Sequence, residues 1–427
     1  MNILGQVLLY VFLITGMINT LHLGMYIAGA NFYDMWQYKR RARMPKRPQS
    51  RLPSVTVVVP AHNEQLVIER CLDSIRKTRY AHLQVVVHSD CSNDATVSLV
   101  RAYKKKYPTF DVRVIDRRKR VGKAGGVNYC IKKYATGELI MTLDADCVIH
   151  PTAIKNAVRY FVDPRVMGVA ANVRILDKRS VLGILQQFEH LIGYRSKKFY
   201  TMANCEFIVG GVASTYRREI LKQVGYYGTE TQTEDIGLSM KIVALGNRTN
   251  RIIYASDVVA MAEGAHTFRA LLKQRYRWKM GSMQNLLMHS RLLANTSRQY
   301  SRSLTLYRMP MAFLSELILL MQPFVLGYIF YLSIVYHTFG FFFGAYLTIT
   351  LYVLATIWPD EHMHWRRKLV KSGLAPTLYF AFYIMDVVQV SAIVRCLLHP
   401  SQVALKGNEQ QAAWAPPTRA GQEVQFS

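Results

Sequence analysis

Three short strings carry residue types that could do chemistry: Asp144-Ala145-Asp146, then Thr233-Glu234-Asp235, then Gln274-Arg275-Tyr276-Arg277-Trp278. Asp144 and Asp146 are two residues apart, so at a strand end both carboxylates can point to one side. Paired hard oxygens suit Mg2+ or Mn2+, which bind through one or two carboxylates plus substrate phosphates. Such a cation would neutralise a diphosphate leaving group; the alternative is a solvated turn. Asp235 can serve as a general base toward an acceptor hydroxyl. Thr233 as an N-cap, with acids in the first turn, explains the same string without catalysis. On a helix, Gln274, Arg277 and Trp278 stand at i, i+3 and i+4 and share a face. Arg277 suits phosphate oxygens and the Trp278 face suits a sugar ring; a core indole with a snorkelling arginine is the structural alternative. Gly122-Lys123-Ala124-Gly125-Gly126-Val127-Asn128 adds small residues that let backbone N–H groups approach phosphate, with Lys123 as a point charge.

The elements that must position these residues read as strand–helix alternation from Ser54 to Ser290. Val55 to Pro60 is a short apolar run ended by proline, followed by a helical stretch from Gln65 to Lys77. Leu83 to His88, Val112 to Ile115 and Glu138 to Leu143 read as further buried strands, and Asn93 to Tyr107 as a helix capped by Asn93. The pattern predicts an α/β fold with a parallel sheet, in which ligands bind beyond the carboxyl ends of the strands. Asn63-Glu64, Asp90 and Asp144/Asp146 all fall at such ends. Two later stretches, Val181 to Ile192 and Phe268 to Tyr276, are amphipathic at helical spacing; packing on the domain and lying on a membrane surface both fit.

Composition sets the surroundings. The 427 residues are 51% hydrophobic, and Ile3 to Ala30 holds no Lys, Arg, Asp or Glu. That length spans a bilayer. The basic run Lys39, Arg40, Arg41, Arg43, Lys46, Arg47, Arg51 marks its cytoplasmic end, as for an uncleaved anchor. Met309 to Trp358 carries only Glu316 as a charge, enough for two spans with a break near His337; Leu374 to Leu398 is a third candidate. The expected division is an anchor over 1–35, a cytoplasmic domain over 52–290, a membrane region over 305–400 and a disordered tail over 401–427. A net charge of +27 invites a nucleic-acid reading, but the clusters follow apolar segments and no nucleic-acid motif is present. The six cysteines show no paired spacing, so neither a disulfide framework nor a zinc site is indicated.

With these residues assembled, the chain resembles membrane-embedded family-2 glycosyltransferases of the processive type, the group of cellulose, hyaluronan and poly-N-acetylglucosamine synthases. The resemblance covers Ser54 to Ser290 with the motifs in the family's order. It implies a nucleotide-diphosphosugar-binding, Rossmann-like GT-A domain with membrane helices. By resemblance, Pro60, Asn63 and Glu64 belong to the first nucleotide-contacting loop, Asp90 contacts uridine and Lys123 lies near the diphosphate. Asp146 holds the metal, Mg2+ or Mn2+, with Asp144 beside it. Gly210-Gly211 to Arg217-Arg218-Glu219 is the acceptor-side segment, Asp235 is the base and Glu234 stands by the acceptor. Gln274, Arg277 and Trp278 close over diphosphate and acceptor. The tail string Trp414 to Arg419 is similar to poly-N-acetylglucosamine synthases. Three departures stand out: Ser89-Asp90 where the family often has paired acids, Ala265 where relatives often have proline, and one amino-terminal span where several have two.

The implied activity is inverting transfer from a UDP-sugar, with UDP-N-acetylglucosamine as a candidate donor, to a growing β-linked glycan. Export between the carboxy-terminal spans would accompany it. The implied setting is a multi-pass plasma-membrane protein with a cytoplasmic catalytic domain; an accessory subunit is left open. Single-sugar transfer to a lipid acceptor is the rival within the enzyme class. A non-catalytic transport or scaffold protein is the rival outside it.

Overall fold

The computed structural model describes residues 3–43, 52–176, 180–337 and 339–403. The tail string from Trp414 and the basic residues Lys46, Arg47 and Arg51 lie outside them. The chain enters through α1 (Ile3–Arg43), one continuous helix that carries the apolar amino-terminal stretch straight into the basic run.

Strands and helices then alternate: β1 (Val55–Ala61), α2 (Ile68–Arg76), β2 (Leu83–Asp90), α3 (Thr96–Lys106), β3 (Val112–Arg117), α4 (Gly122–Lys133), β4 (Leu139–Thr142). β1 lies between β2 and β4, all parallel, with β3 beyond β2. A parallel strand covered on both faces must be apolar on both, which is why the run from Val55 to Val59 does not alternate. Val57, Val58 and Val59 are fully buried, each contributing roughly 1.5–3 kcal/mol relative to exposure. One face packs against Ile68, Leu72, Ile75 and Val100 of α2 and α3. The other packs against Val127 and Ile131 of α4.

The expected parallel sheet is correct for this half; the rest is mixed. Next come β5 (Val148–Ile149), α5 (Ala153–Tyr160), β6 (Val166–Ile175), α6 (Val181–Met202), β7 (Ser214–Arg217), α7 (Arg218–Gln223), α8 (Glu234–Val243) and β8 (Arg251–Ala262). β7 runs antiparallel to both β4 and β6, and β5 antiparallel to β8, giving a mixed sheet in the order β3-β2-β1-β4-β7-β6-β8-β5. The reversal has a consequence for the site. Because β7 is antiparallel, its beginning lies at the carboxyl end of β4: Thr142 pairs with Ser214, which delivers Gly210-Gly211 beside Asp144. In this second half, among the described residues, only β6 and β8 pair in parallel, with a register break after Ala171, bridged by the Asn172 amide donating to the Ser256 carbonyl at 2.9 Å. Asn93 is not a helix cap. Its N–H donates to Asn63 Oδ1 at 2.8 Å, while Asp94 Oδ1 takes the Thr96 N–H at 3.0 Å where α3 begins.

The remaining helices are α9 (Phe268–Met288), α10 (Met309–Val335, entered through a π-helical turn at Ser303–Arg308), α11 (Gly340–Ile357), α12 (Trp365–Leu398) and α13 (Pro400–Val403). The break expected near His337 falls between α10 and α11. Two segments, Gly5–Arg40 and Ser303–Val335, are long and apolar enough to cross a membrane; Phe342–Ile357 is a shorter apolar helix. The two amphipathic helices both pack. Phe188 of α6 is fully buried against Val353 and Ile357 of α11 and Ala375 of α12. α6 also lies on α1, where Gly29 admits Phe199: a Cβ at Gly29 would sit 2.8 Å from the Phe199 Cβ.

Candidate active site

Strand ends and the starts of two helices, α4 and α8, meet at one edge of the sheet. Lys123, in the first turn of α4, reaches across to Asp144 (Nζ–Oδ1 2.6 Å) and to Glu234 (3.4 Å). Burial pulls the Lys123 pKa down, but Asp144, Glu234 and Asp235 outweigh it and raise the value above the ordinary lysine range, so the ammonium stays charged. Gly211 closes the group. A Cβ there would lie 2.9 Å from Lys123 Nζ and 3.6 Å from Asp235 Oδ2, so glycine lets the backbone pass between the lysine and the carboxylate. The Gly211 carbonyl accepts from Thr142 Oγ1 at 3.3 Å, and that of Gly210 accepts from Ser214 Oγ.

Asp235 is the perturbed acid of this group. Burial lifts its carboxyl to about 6, and neighbouring Glu234 adds to the rise; Lys123, the Ile236 N–H and Arg277 oppose it. A carboxyl near 6 is ionised at neutral pH yet basic enough to take a proton from a reacting hydroxyl. Glu234 is 8% exposed and directs its carboxylate to Lys123. Thr233 stands at the N-cap position of α8 with Glu234 and Asp235 in the first turn, as the helix-cap explanation has it, but without the side-chain cap bond. The Thr233 hydroxyl instead accepts from the Asn285 amide at 3.1 Å, and the same amide donates to the Thr233 carbonyl and to Thr231 Oγ1. Asn285 is fully buried on α9, so α9 itself holds the loop that presents Asp235. Gly281 permits the approach, because a Cβ there would meet the Thr233 N at 2.7 Å.

On α9 the Gln274, Arg277 and Trp278 face is organised by a residue that sequence reasoning passed over. Arg275, 3% exposed, donates to Gln274 Oε1 at 2.7 Å, lies 4.2 Å from the Trp278 ring centroid and pairs with Glu189 of α6 through Nε at 3.2 Å. Gln186 of α6 also donates to and accepts from the Ala265 backbone, at 3.0 and 2.9 Å. Glu189 and Gln186 carried no sequence signal beyond a polar position on an apolar helix.

Asp146, Asp144 and Cys147 have ligand atoms within 4.8 Å of one another. Two carboxylates at a strand end fit Mg2+ or Mn2+; Cys147 donates to Asp146 Oδ1 at 3.2 Å, and burial, with Asp146 and Asp144 beside it, keeps its thiol protonated. Arg70 holds this loop by donating to the Asp146 carbonyl at 3.0 Å and to Glu263 at 3.2 Å.

A second group lies along the same edge. Asn63, at φ +55°, accepts from Asn93; the Glu64 N–H donates to Thr96 Oγ1 at 2.9 Å; Pro60 lies opposite His88, one pair before the ladder ends at Ala61 and Ser89. Asp90 accepts from the N–H groups of Val121 and Gly122 at 2.8 and 3.0 Å. These two N–H groups are therefore turned to Asp90, so within the Gly122 to Asn128 segment the Gly122 N–H is already engaged. Gly122 itself sits at φ +74°, a conformation that glycine adopts without strain. Ser89, where the resemblance led us to expect a second acid, donates to Asp116 Oδ1 at 3.2 Å, so β3 supplies a carboxylate next to that position.

Comparison with known proteins agrees with this geometry. Poly-beta-1,6-N-acetyl-D-glucosamine synthase of Staphylococcus epidermidis is 29% identical over 267 residues, 61% of this chain and 63% of the relative. Its namesake from Staphylococcus aureus (strain COL) is 29% identical over 271 residues, 62% and 64% of the two chains. The match thus spans just under two thirds of these curated relatives. Among solved structures, the mannosyltransferase PcManGT from Pyrobaculum calidifontis, in complex with GDP-Man and Mn2+, shares the fold with a TM-score of 0.57, at 22% identity over 91% of this chain and 99% of that one. The family described as glycosyltransferase-like family 2 matches residues 53–281, more than half of the 427, and the chain belongs to that family.

Proposed function

We propose that this protein is an inverting transferase that moves a sugar, N-acetylglucosamine by analogy with its curated relatives, from a UDP donor to a growing β-linked glycan at the cytoplasmic face of a membrane. The observation that carries the reading is the junction of Lys123, Asp144, Glu234, Asp235 and Gly211 at the ligand edge of the sheet. Asp235 accepts the proton of an acceptor hydroxyl as that oxygen attacks the anomeric carbon. Lys123 and Arg277 hold negative charge on the departing diphosphate, and Trp278 offers its ring to the acceptor sugar. One displacement suffices, so no nucleophilic side chain is needed. A divalent cation bound by Asp146 and Asp144 would neutralise the leaving diphosphate. Asp90 and Asn63 are assigned to the nucleoside side, and Gly210 to the acceptor path.

Export of the product is supported by a polar pair, Gln322 of α10 donating to Asp386 of α12 at 2.9 Å, in the apolar middle stretches of both helices; ionisable residues at such depth mark pathways. A lipid acceptor is the second reading, favoured by the Lys279–Glu316 bridge (2.8 Å) that joins α9 to α10. Purified protein in nanodiscs, given a panel of UDP-sugars with Mg2+ or Mn2+, separates the two. UDP release from UDP-N-acetylglucosamine with a ladder of products supports the polymerase; a single sugar on lipid supports the rival; no UDP release with any donor would return the chain to a non-catalytic role.

A further inference from the structure

Away from the donor site, a polar cavity of about 50 Å³ opens between α1, α6, the β6–β8 pair and the turn that joins α11 to α12. Its charged residues are not equally satisfied. Lys198 pairs with Asp34 at 2.6 Å, and Arg174 grips both oxygens of Asp360 at 2.6 and 2.8 Å. Among the described residues Arg195 makes no ion pair; the carboxylate charge that acts on it is that of Asp34, already held by Lys198. Arg195 is 5% exposed, and its one hydrogen bond runs from Nη2 to the neutral Asn31 Oδ1 at 3.2 Å. Its buried Nε has no acceptor, nor does the Nε of Arg174 on the facing strand. Burial lowers the Arg195 pKa, and Tyr352 and Asp34 oppose that only in part. Such a group is costly to leave uncompensated, and the planar fork of an arginine matches phosphate oxygens.

We propose that this cavity is a second anion site, separate from the donor site, that takes one phosphate-type group on Arg195. Two sources share that chemistry: the phosphodiester of an anionic lipid headgroup and a soluble phosphate. On the membrane reading above, which only the lipid source requires, the basic end of α1 and the α11–α12 turn place the cavity at the level of the headgroups. The site is coupled to the chemistry through α6. The helix that carries Arg195 also carries Glu189 and Gln186, which hold Arg275 and the Ala265 backbone, so an anion that fixes α6 steadies the Gln274–Trp278 face.

The test uses the full chain in detergent with UDP and Mn2+ at saturation, so that the donor site is filled. Thermal melting is followed with sodium phosphate against chloride at equal ionic strength, and with dioctanoyl-phosphatidylglycerol against dioctanoylglycerol, which lacks phosphate. The melting temperature is expected to rise with a phosphate-bearing probe and not with its control. Arg195→Gln and Asn31→Asp are both expected to lose the rise. The second places a carboxylate on the guanidinium from within and keeps the proposal testable if Arg195→Gln does not fold. A rise with phosphate assigns the soluble source; a rise with the lipid alone assigns the headgroup. Absence of any rise, or the wild-type rise in Asn31→Asp, overturns the proposal. UDP release is measured in parallel; its absence would count against the transferase reading and leave the melting comparison intact.

Discussion

At the scale of the residue, the site depends on one cation shared among three acids. Lys123 touches Asp144 and Glu234 and favours the ionised form of Asp235. Without it, burial and Glu234 would hold the proton on Asp235 more tightly. The pH dependence follows with a definite sign. Below about 6 Asp235 is protonated and cannot accept the acceptor's proton. The profile of log kcat/KM is therefore expected to fall with slope one as pH drops through that value, read by steady-state UDP release between pH 5 and 8. Lys123→Ala should shift this limb upward and weaken UDP binding; a limb that stays in place would show that the lysine does not face the base. Asp144, Asp146, Lys123 and Asp235 were legible in the sequence because each ends or begins an element whose apolar pattern is plain. Arg275 was not. Lying between Gln274 and Trp278, it reads as a spare charge until α6 brings Glu189 to it.

At the scale of the element, α9 is a strut as well as the proposed ligand-binding face. Asn285 spends both amide hydrogens on Thr231, Thr233 and the Gly281 carbonyl, and Gln284 takes the Gln232 N–H at 2.9 Å. Asn285→Ala leaves buried groups without partners, which costs about 1–3 kcal/mol. It should lower both the melting temperature and kcat, with little change in donor affinity, since Lys123 and Asp144 remain in place. Thermal melting and UDP titration check it together; unchanged kcat would mean that α9 does not position the base. The first four strands were readable as β-branched runs. β6 and β8 were not traced, because Gly168, Ala170 and Ala171 dilute the apolar signal and a register break interrupts the pairing. The antiparallel β7 has four residues, too few for a periodicity to register.

At the scale of the whole molecule, apolar helices and catalytic edge are linked by packing. α1 docks on α6 where Gly29 meets Phe199, and α6 passes the contact to α9 through Glu189 and Arg275. Gly29→Val would drive a side chain into Phe199 backbone and side-chain atoms, an overpacking worth about 1–3 kcal/mol. It should reduce turnover from a distance of several helices while leaving UDP affinity unchanged; equal turnover would separate α1 from the chemistry. The long apolar amino-terminal helix and the break near His337 were visible in the sequence, whereas the burial of α6 between sheet and apolar helices required tertiary contacts. The central claim is that Asp235 is the base of a single displacement. Asp235→Asn keeps the shape and removes the basicity, so turnover by UDP release and affinity by UDP titration, measured on the same preparation, test it most directly. We expect turnover to fall by about 10²–10⁴-fold with UDP affinity retained; near wild-type turnover with UDP still bound would contradict the account.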